Sequence, residues 1–314
     1  MERGSIYLED LRASCDGSQF GACLSKGDVT LWDANTLGVV GTFRPGFAGS
    51  NARYVIDSHE HRLYSAIWEN GLTCYDFWTD RVLWKRRDLQ SIQAVNLSGA
   101  FPLSLFVTLE RPARTRGGLK PVFGIAELDR NTGETLWAEP NGQKAFVHPD
   151  AAILLICDGK TIRMLGADMQ PIGHAAMVNF AILDAAFSGD RIALAEGAKG
   201  VRVIDVSGTT ICSYSPRGRK TNCIEVAFHA DRVCVHDSWE GAFVTTIDPV
   251  SGQVIAEHQR PIAGDICFIG DGSRYVDQTG AVFDALTGSQ IGQLNPPETF
   301  RFKVGSWLRK CLKL

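Results

Sequence analysis

One short pattern recurs seven times along the chain and constrains its fold more than any other feature. An apolar segment that alternates with polar residues ends in Asp, a turn follows, and a second alternating segment resumes. The aspartates are Asp33, Asp76, Asp129, Asp168, Asp205, Asp248 and Asp284, spaced by 43, 53, 39, 37, 43 and 36 residues. A repeat of about 40 residues built from strands is the signature of a propeller blade. The residues after each Asp are the ones a tight hairpin needs, because they tolerate positive φ or bond their own backbone. Asp129-Arg130-Asn131-Thr132-Gly133 shows this well, and Asp248 and Asp284 are likewise followed four residues later by Gly252 and Gly288. Two further strands precede the hairpin: residues 6–13 and 19–26 in the first repeat, 223–228 and 232–237 in the sixth, 265–270 and 273–278 in the seventh. No helical period is present before residue 295. Four strands repeated seven times predict an all-β, single seven-bladed β-propeller over residues 1–294, followed by a tail over 295–314. Each blade then buries its faces on its neighbours, and ring closure leaves few open edges.

Composition is compatible with that picture. With 314 residues and 45% hydrophobic content the chain can bury a large core, and closed all-β architectures often run this long as one domain. The net charge of -3 names no partner by itself. The first residues lack the apolar stretch of a secretory signal, and the longest apolar run, Ala151 to Cys157, is far short of the ~20 residues of a membrane helix. The nine cysteines form no CxxC pair and sit mostly in strand-like runs, so they read as reduced core thiols of a cytoplasmic protein rather than a disulfide framework or zinc site.

The residues 27–37, ending Leu31-Trp32-Asp33, resemble the end of a WD40 repeat. Asp129, Thr132, Gly133 and Trp137 resemble a PQQ-like (quinoprotein-type) repeat, and Trp84 stands at the matching place after Asp76. The resemblance to the WD40-like and PQQ-like propellers spans nearly the whole chain and implies the fold. It implies little about function, because propellers host many unrelated activities. Quinone chemistry is not expected: the adjacent cysteine pair usual in quinoprotein dehydrogenases is missing, and no cofactor is expected.

Blade topology sorts the loops onto two faces. Turns between the first and second strands and between the third and fourth form the bottom, which is rich in Asp as turns demand. The remaining loops form the top, where Arg44, Arg86, Arg87, Arg111, Arg114, Arg116, Lys120, Lys144, Lys199, Arg217, Arg219, Lys220 and Arg260 outnumber the acids. Turn propensity does not demand Arg, so a basic top face points to a partner with an acidic surface. Two loops stand out: an insertion over residues 109–123, which explains the spacing of 53, and residues 215–220. The expected contact residues are Arg111, Arg114, Arg116, Lys120, Arg217, Arg219, Lys220, Arg86 and Arg87, with Trp239 and Phe47 as aromatic anchors.

In the tail, Phe300, Val304, Trp307, Leu308, Cys311 and Leu312 fall at helical spacing among five cations. It has three possible destinations: the propeller's flank, a partner, or an anionic membrane surface. Motifs for hydrolases, metalloproteases and phosphate-binding loops are missing. His59-Glu60-His61 lies in an expected bottom turn and reads as a polar turn. Asp184, Glu225 and Asp265, with Asn96, Asn179 and Asn222, fall where inner strands meet the central channel, the place for a metal-dependent hydrolase site. The basic loops lack the interleaved aromatics of a nucleic-acid stacking surface. The leading expectation is a non-catalytic scaffold or adaptor that binds a protein. An inhibitor or immunity protein capping a toxin or enzyme is a sharper form of it, and a channel hydrolase is the alternative of another class.

Overall fold

A computed structural model of the chain describes residues 8–14, 16–24, 28–43, 53–67, 71–89, 91–115, 118–159, 161–178, 181–216, 222–238, 242–260 and 264–294. They form seven four-stranded antiparallel sheets, each made of four consecutive strands in sequence order. Blade one is β1 (Glu9–Ala13), β2 (Gln19–Leu24), β3 (Asp28–Asp33) and β4 (Val39–Phe43). Blade two is β5 (Arg53–Asp57), β6 (Arg62–Ile67), β7 (Gly71–Asp76) and β8 (Arg81–Arg86). Blade three is β9 (Ile92–Asn96), β10 (Ser104–Thr115), β11 (Gly118–Asp129) and β12 (Thr135–Glu139). Blade four is β13 (Lys144–Val147), β14 (Leu154–Cys157), β15 (Thr161–Leu165) and β16 (Pro171–Met177). Blade five is β17 (Asp184–Ser188), β18 (Arg191–Ala195), β19 (Val201–Asp205) and β20 (Thr210–Tyr214). Blade six is β21 (Cys223–His229), β22 (Arg232–Asp237), β23 (Phe243–Ile247) and β24 (Val254–Gln259). Blade seven is β25 (Ile266–Ile269), β26 (Arg274–Asp277), β27 (Ala281–Asp284) and β28 (Gln290–Gln293). The all-β, seven-bladed expectation is met, and the described residues contain no helix.

The period of two in each strand explains the packing. Successive side chains point to opposite faces of a sheet, so one strand serves two seams. In β14, Leu154 and Ile156 join a cluster with Phe106 and Ile125 of blade three, while Leu155 and Cys157 join Ile192 and Leu194 of blade five. The described residues form seven apolar clusters, one for each pair of neighbouring blades, including blades seven and one. The seven described cysteines are buried and unbridged, as core thiols should be.

The repeated Asp builds the hairpin between the third and fourth strands. Asp33 accepts the backbone N–H of Asn35 (3.0 Å) and Thr36 (2.7 Å), and Asp129, Asp248 and Asp284 bond their turns in the same way. The residue four places after the Asp then donates its N–H to the Asp carbonyl, as Gly133, Gly252 and Gly288 do. That residue needs a left-handed backbone; φ is 75°, 69° and 69° at these glycines, while Leu37 and Asp80 take the same place at 58°.

Seams carry polar ties as well. Arg130 of blade three forms a buried ion pair with Asp57 of blade two and donates to the Pro102 carbonyl at 2.9 Å. The Trp84 indole of blade two donates to the Arg130 carbonyl at 3.0 Å. This assigns the tryptophan eight residues after Asp76 a job in fastening one blade to the next. Ring closure uses no shared strand among the described residues. Instead, Leu8 donates its N–H to the Gln278 carbonyl and Gly270 donates to Gly17, while Leu294 bonds Gly280 within blade seven. Leu8 and Leu294 therefore both lie against the blade-seven turn at residues 277–281 and share one cluster with Trp32 and Val282.

Candidate functional site

The segment expected as an inserted loop over 109–123 is a two-stranded ribbon. β10 and β11 are each 12 residues long, against four to seven in all other strands. Their pairing runs without a break from Ser104↔Asp129 to Thr115↔Gly118. The rungs from Arg111↔Val122 to Thr115↔Gly118 extend past the partner strands β9 and β12. Topology places this ribbon on the top face, as expected for a connection between second and third strands.

The ribbon's prolines fit its geometry. Glu110 directs its N–H away from β11, to the Ser91 carbonyl at 3.0 Å, and Asp129 directs its own away from β10, to Glu134. Antiparallel pairing alternates inward and outward groups. Pro112 and Pro121, paired with each other, therefore stand where N–H groups would point outward. The ladder loses nothing, and each open edge loses a donor that another strand could use. Arg111, Ala113, Lys120 and Val122 share one face by register, while Arg114, Leu119, Pro112 and Pro121 share the other.

Of the expected contact residues, Arg111, Arg114 and Lys120 lie on the ribbon, and Arg86 and Arg87 follow in β8 and just after it. Arg86 is already engaged: its Nε and Nη2 bond Asp88 at 2.7 and 2.6 Å, and Nη1 donates to the Gly133 carbonyl of blade three. This pairing holds the Asp88 carboxyl below its ordinary value. Arg87 is exposed. Arg116, Arg217, Arg219, Lys220, Trp239 and Phe47 lie outside the described residues, as does the tail over 295–314.

Two other cations assigned to the top from sequence are drawn inward. Arg260 is buried, with Nη1 2.8 Å from His236 Nε2 and 2.8 Å from the Gly264 carbonyl. Lys144 donates to the Leu183 carbonyl at 3.0 Å, and burial lowers its pKa. On the bottom, the Asp residues serve their turns. His61 stacks on Trp78 with ring centroids 5.1 Å apart, so the His59-Glu60-His61 segment is a turn against an aromatic neighbour.

The central channel gathers several charged side chains. First strands of neighbouring blades meet around it, β1 with β5 and β25, and β17 with β21. A cavity of about 270 Å³ is lined by Asp10, Arg12, Arg53, Asp184, Glu225 and Asp265 among others. The three inner-strand acids expected from sequence do converge there; Asn96 instead bonds the Ala145 carbonyl, Asn222 bonds Asp237 and Ser238, and Asn179 lies outside the described residues. Asp10 pairs with Arg53 at 3.6 Å. Burial raises the pKa of Asp184, which accepts the Val226 N–H at 3.0 Å. Burial, with the neighbouring Asp184 charge, pushes Glu225 up to about 8. Behind Glu225 lies the fully buried His236, pushed down to about 3 by burial and by Arg260. Sequence reasoning missed Arg12 and Arg53 as channel residues, since nothing in their local pattern marks them. Among the described residues no three His, Cys, Asp or Glu side chains stand close enough to hold a metal ion.

No family model matches the chain, and no curated protein matches it. Among solved structures it is similar to Hsv2 of Kluyveromyces lactis, with a TM-score of 0.69 and 11% identity over 89% of this chain and 93% of that one. It is also similar to the β-propeller domain of Cps50 (Swd1) from Myceliophteria thermophila, with a TM-score of 0.67 and 13% identity over 88% and 94%. These neighbours are WD40 propellers. At such identities the likeness establishes the fold alone, and it lends no support to the PQQ-like side of the resemblance.

Proposed function

We propose that this propeller is a non-catalytic, cytoplasmic binding module that grips a protein partner with an acidic surface on its top face. The observation that carries the reading is the β10–β11 ribbon, with Arg111, Arg114 and Lys120 on rungs beyond its blade and no acid from residue 111 to 123. A projecting element with blunted edges and a single sign of charge suits recognition by its faces and steers an oppositely charged surface toward it. The WD40 propeller fold gives such an arm a rigid base. Seven buried cysteine thiols among the described residues support the cytoplasmic assignment.

A sharper form of the proposal is an inhibitor or immunity protein that caps one cognate toxin or enzyme. A triple variant, Arg111→Glu, Arg114→Glu and Lys120→Glu, tests the face. Affinity capture with the native chain should recover a partner at near-equal stoichiometry, and the variant should lose it with an unchanged melting temperature. Retention of the partner by the variant would overturn the top-face reading. Survival of the native complex in high salt separates a dedicated inhibitor from a charge-steered adaptor, whose partners dissociate as salt rises.

A further inference from the structure

We propose that Glu225 and His236 form a proton-operated latch between the channel and the seam of blades six and seven. The latch closes when Glu225 ionises and opens when Glu225 takes up a proton. The inference stands on the channel wall and is independent of the top-face reading.

Geometry fixes where the histidine proton sits. His236 of β22 is fully buried. Arg260 Nη1 lies 2.8 Å from its Nε2, and a guanidinium only donates, so Nε2 is the acceptor. Burial and Arg260 keep the ring neutral, so its one proton is on Nδ1. That donor has no hydrogen-bond partner. Glu225 Oε2 stands 3.9 Å from it, about 1 Å beyond the reach of a charge-assisted hydrogen bond. Register makes Glu225 and His236 a directly opposed cross-strand pair, next to an irregularity in β21 between Cys223 and Glu225. Such irregularities re-aim the side chains beside them.

Glu225 lines the channel cavity, which opens its carboxyl to proton exchange. It is faced by Asp184 of β17, Arg12 of β1, Asp265 and the Phe268 N–H of blade seven, Cys267 of β25 and His236. Lys144 of β13 faces Asp184 in turn. Arg260 is faced by Tyr275, Asp277, Asp265 and His258 besides His236. Burial, with the Asp184 charge, pushes Glu225 up to about 8, so its carboxyl is protonated at neutral pH and ionises as the solution turns alkaline. The neutral carboxyl is a weak acceptor and leaves the Nδ1 proton unmet. The carboxylate is a strong one, and a shift of about 1 Å closes it on Nδ1. Arg260 Nη1 also donates to the Gly264 carbonyl at 2.8 Å. The closed latch is therefore one chain of hydrogen bonds from Glu225 through His236 and Arg260 to Gly264, at the entrance to blade seven. Bonds in such a chain polarise one another, so ionisation in the channel tightens the hold on Gly264. As pH falls through the folded value, the carboxylate regains its proton and the chain breaks at its channel end.

Long-range proton–nitrogen NMR on the full chain, labelled with 15N-histidine, tests this. His236 should be neutral with its proton on Nδ1 at every pH from about 6 to about 9.5. That proton should move downfield along a single titration with its midpoint near 8. Its protection from exchange, corrected for the intrinsic rate, should rise about tenfold across the titration. The Gly264 carbonyl carbon, labelled with 13C, should shift with the same midpoint. Glu225→Gln should hold all three readings at their low-pH values; if that variant does not fold, Glu225→Ala should do the same. A proton found on Nε2 overturns the proposal, as does an Nδ1 proton that does not titrate or that titrates equally in the Glu225 variants. A Gly264 carbonyl that stays fixed while Nδ1 titrates overturns the link to the seam. None of these outcomes bears on the top face.

Discussion

At the scale of residues, carboxyl groups play two opposite parts. The turn aspartates accept two or more backbone N–H groups, and this holds Asp33, Asp129, Asp248 and Asp284 below the ordinary value of 3.8. Their contribution to stability is present above that value and lost as pH falls through the lower folded one. Glu225 works the other way. Its unfolded value is 4.5 and its folded value about 8, so the folded chain keeps a proton that the unfolded chain gives up across that window. Stability from this group is full below pH 4.5 and lost as pH rises toward 8. Glu225→Gln removes the loss. Its melting temperature, measured against the native chain, should gain progressively from pH 5 to pH 9, and a constant difference across that range would contradict the channel electrostatics.

At the scale of elements, the ribbon shows where sequence reading succeeds and where it stops. The spacing of 53 placed an insertion in blade three, and topology put it on the top face. The segment was expected as a loop; it contains Pro112 and Pro121, and Pro is excluded from the interior of a sheet. The exclusion does not apply where both prolines sit opposite each other with their missing N–H groups outward, and that depends on register, which a lone sequence does not specify. Replacing both with Thr should restore two outward donors and make the ribbon's edges competent for pairing. Pro112→Thr with Pro121→Thr should therefore raise the weight-average mass in light scattering as concentration increases, while the native chain shows no such rise. The hairpins, by contrast, were legible, because Asp284-Ala285-Leu286-Thr287-Gly288 specifies its turn through local bonds alone. The inner-strand acids were legible through strand position. Arg12 and Arg53 were not, and neither was the diversion of Arg86 to Asp88 and of Arg260 to His236, since each depends on a partner met only in the folded ring.

At the scale of the whole molecule, an apolar cluster fills each of the seven seams, and the one between blades seven and one has no covalent connection across it. Chain entry is then a matter of position rather than of structure. A circular permutant that joins the ends beside Leu8 and Leu294 with a flexible linker and reopens between blades two and three should melt cooperatively within a few degrees of the native chain. Circular dichroism and size exclusion would check it, and an unfolded permutant would show that the natural seam is special. The same arrangement has a mechanical consequence. Because Leu8 and Leu294 lie side by side at one seam, a pull applied to them loads that seam first and parts the ring there, like a bracelet opened at its clasp. Opening moves Arg12 of blade one away from Asp265 of blade seven, both of which line the channel cavity. Tension across Leu8 and Leu294 would thus widen the channel cavity.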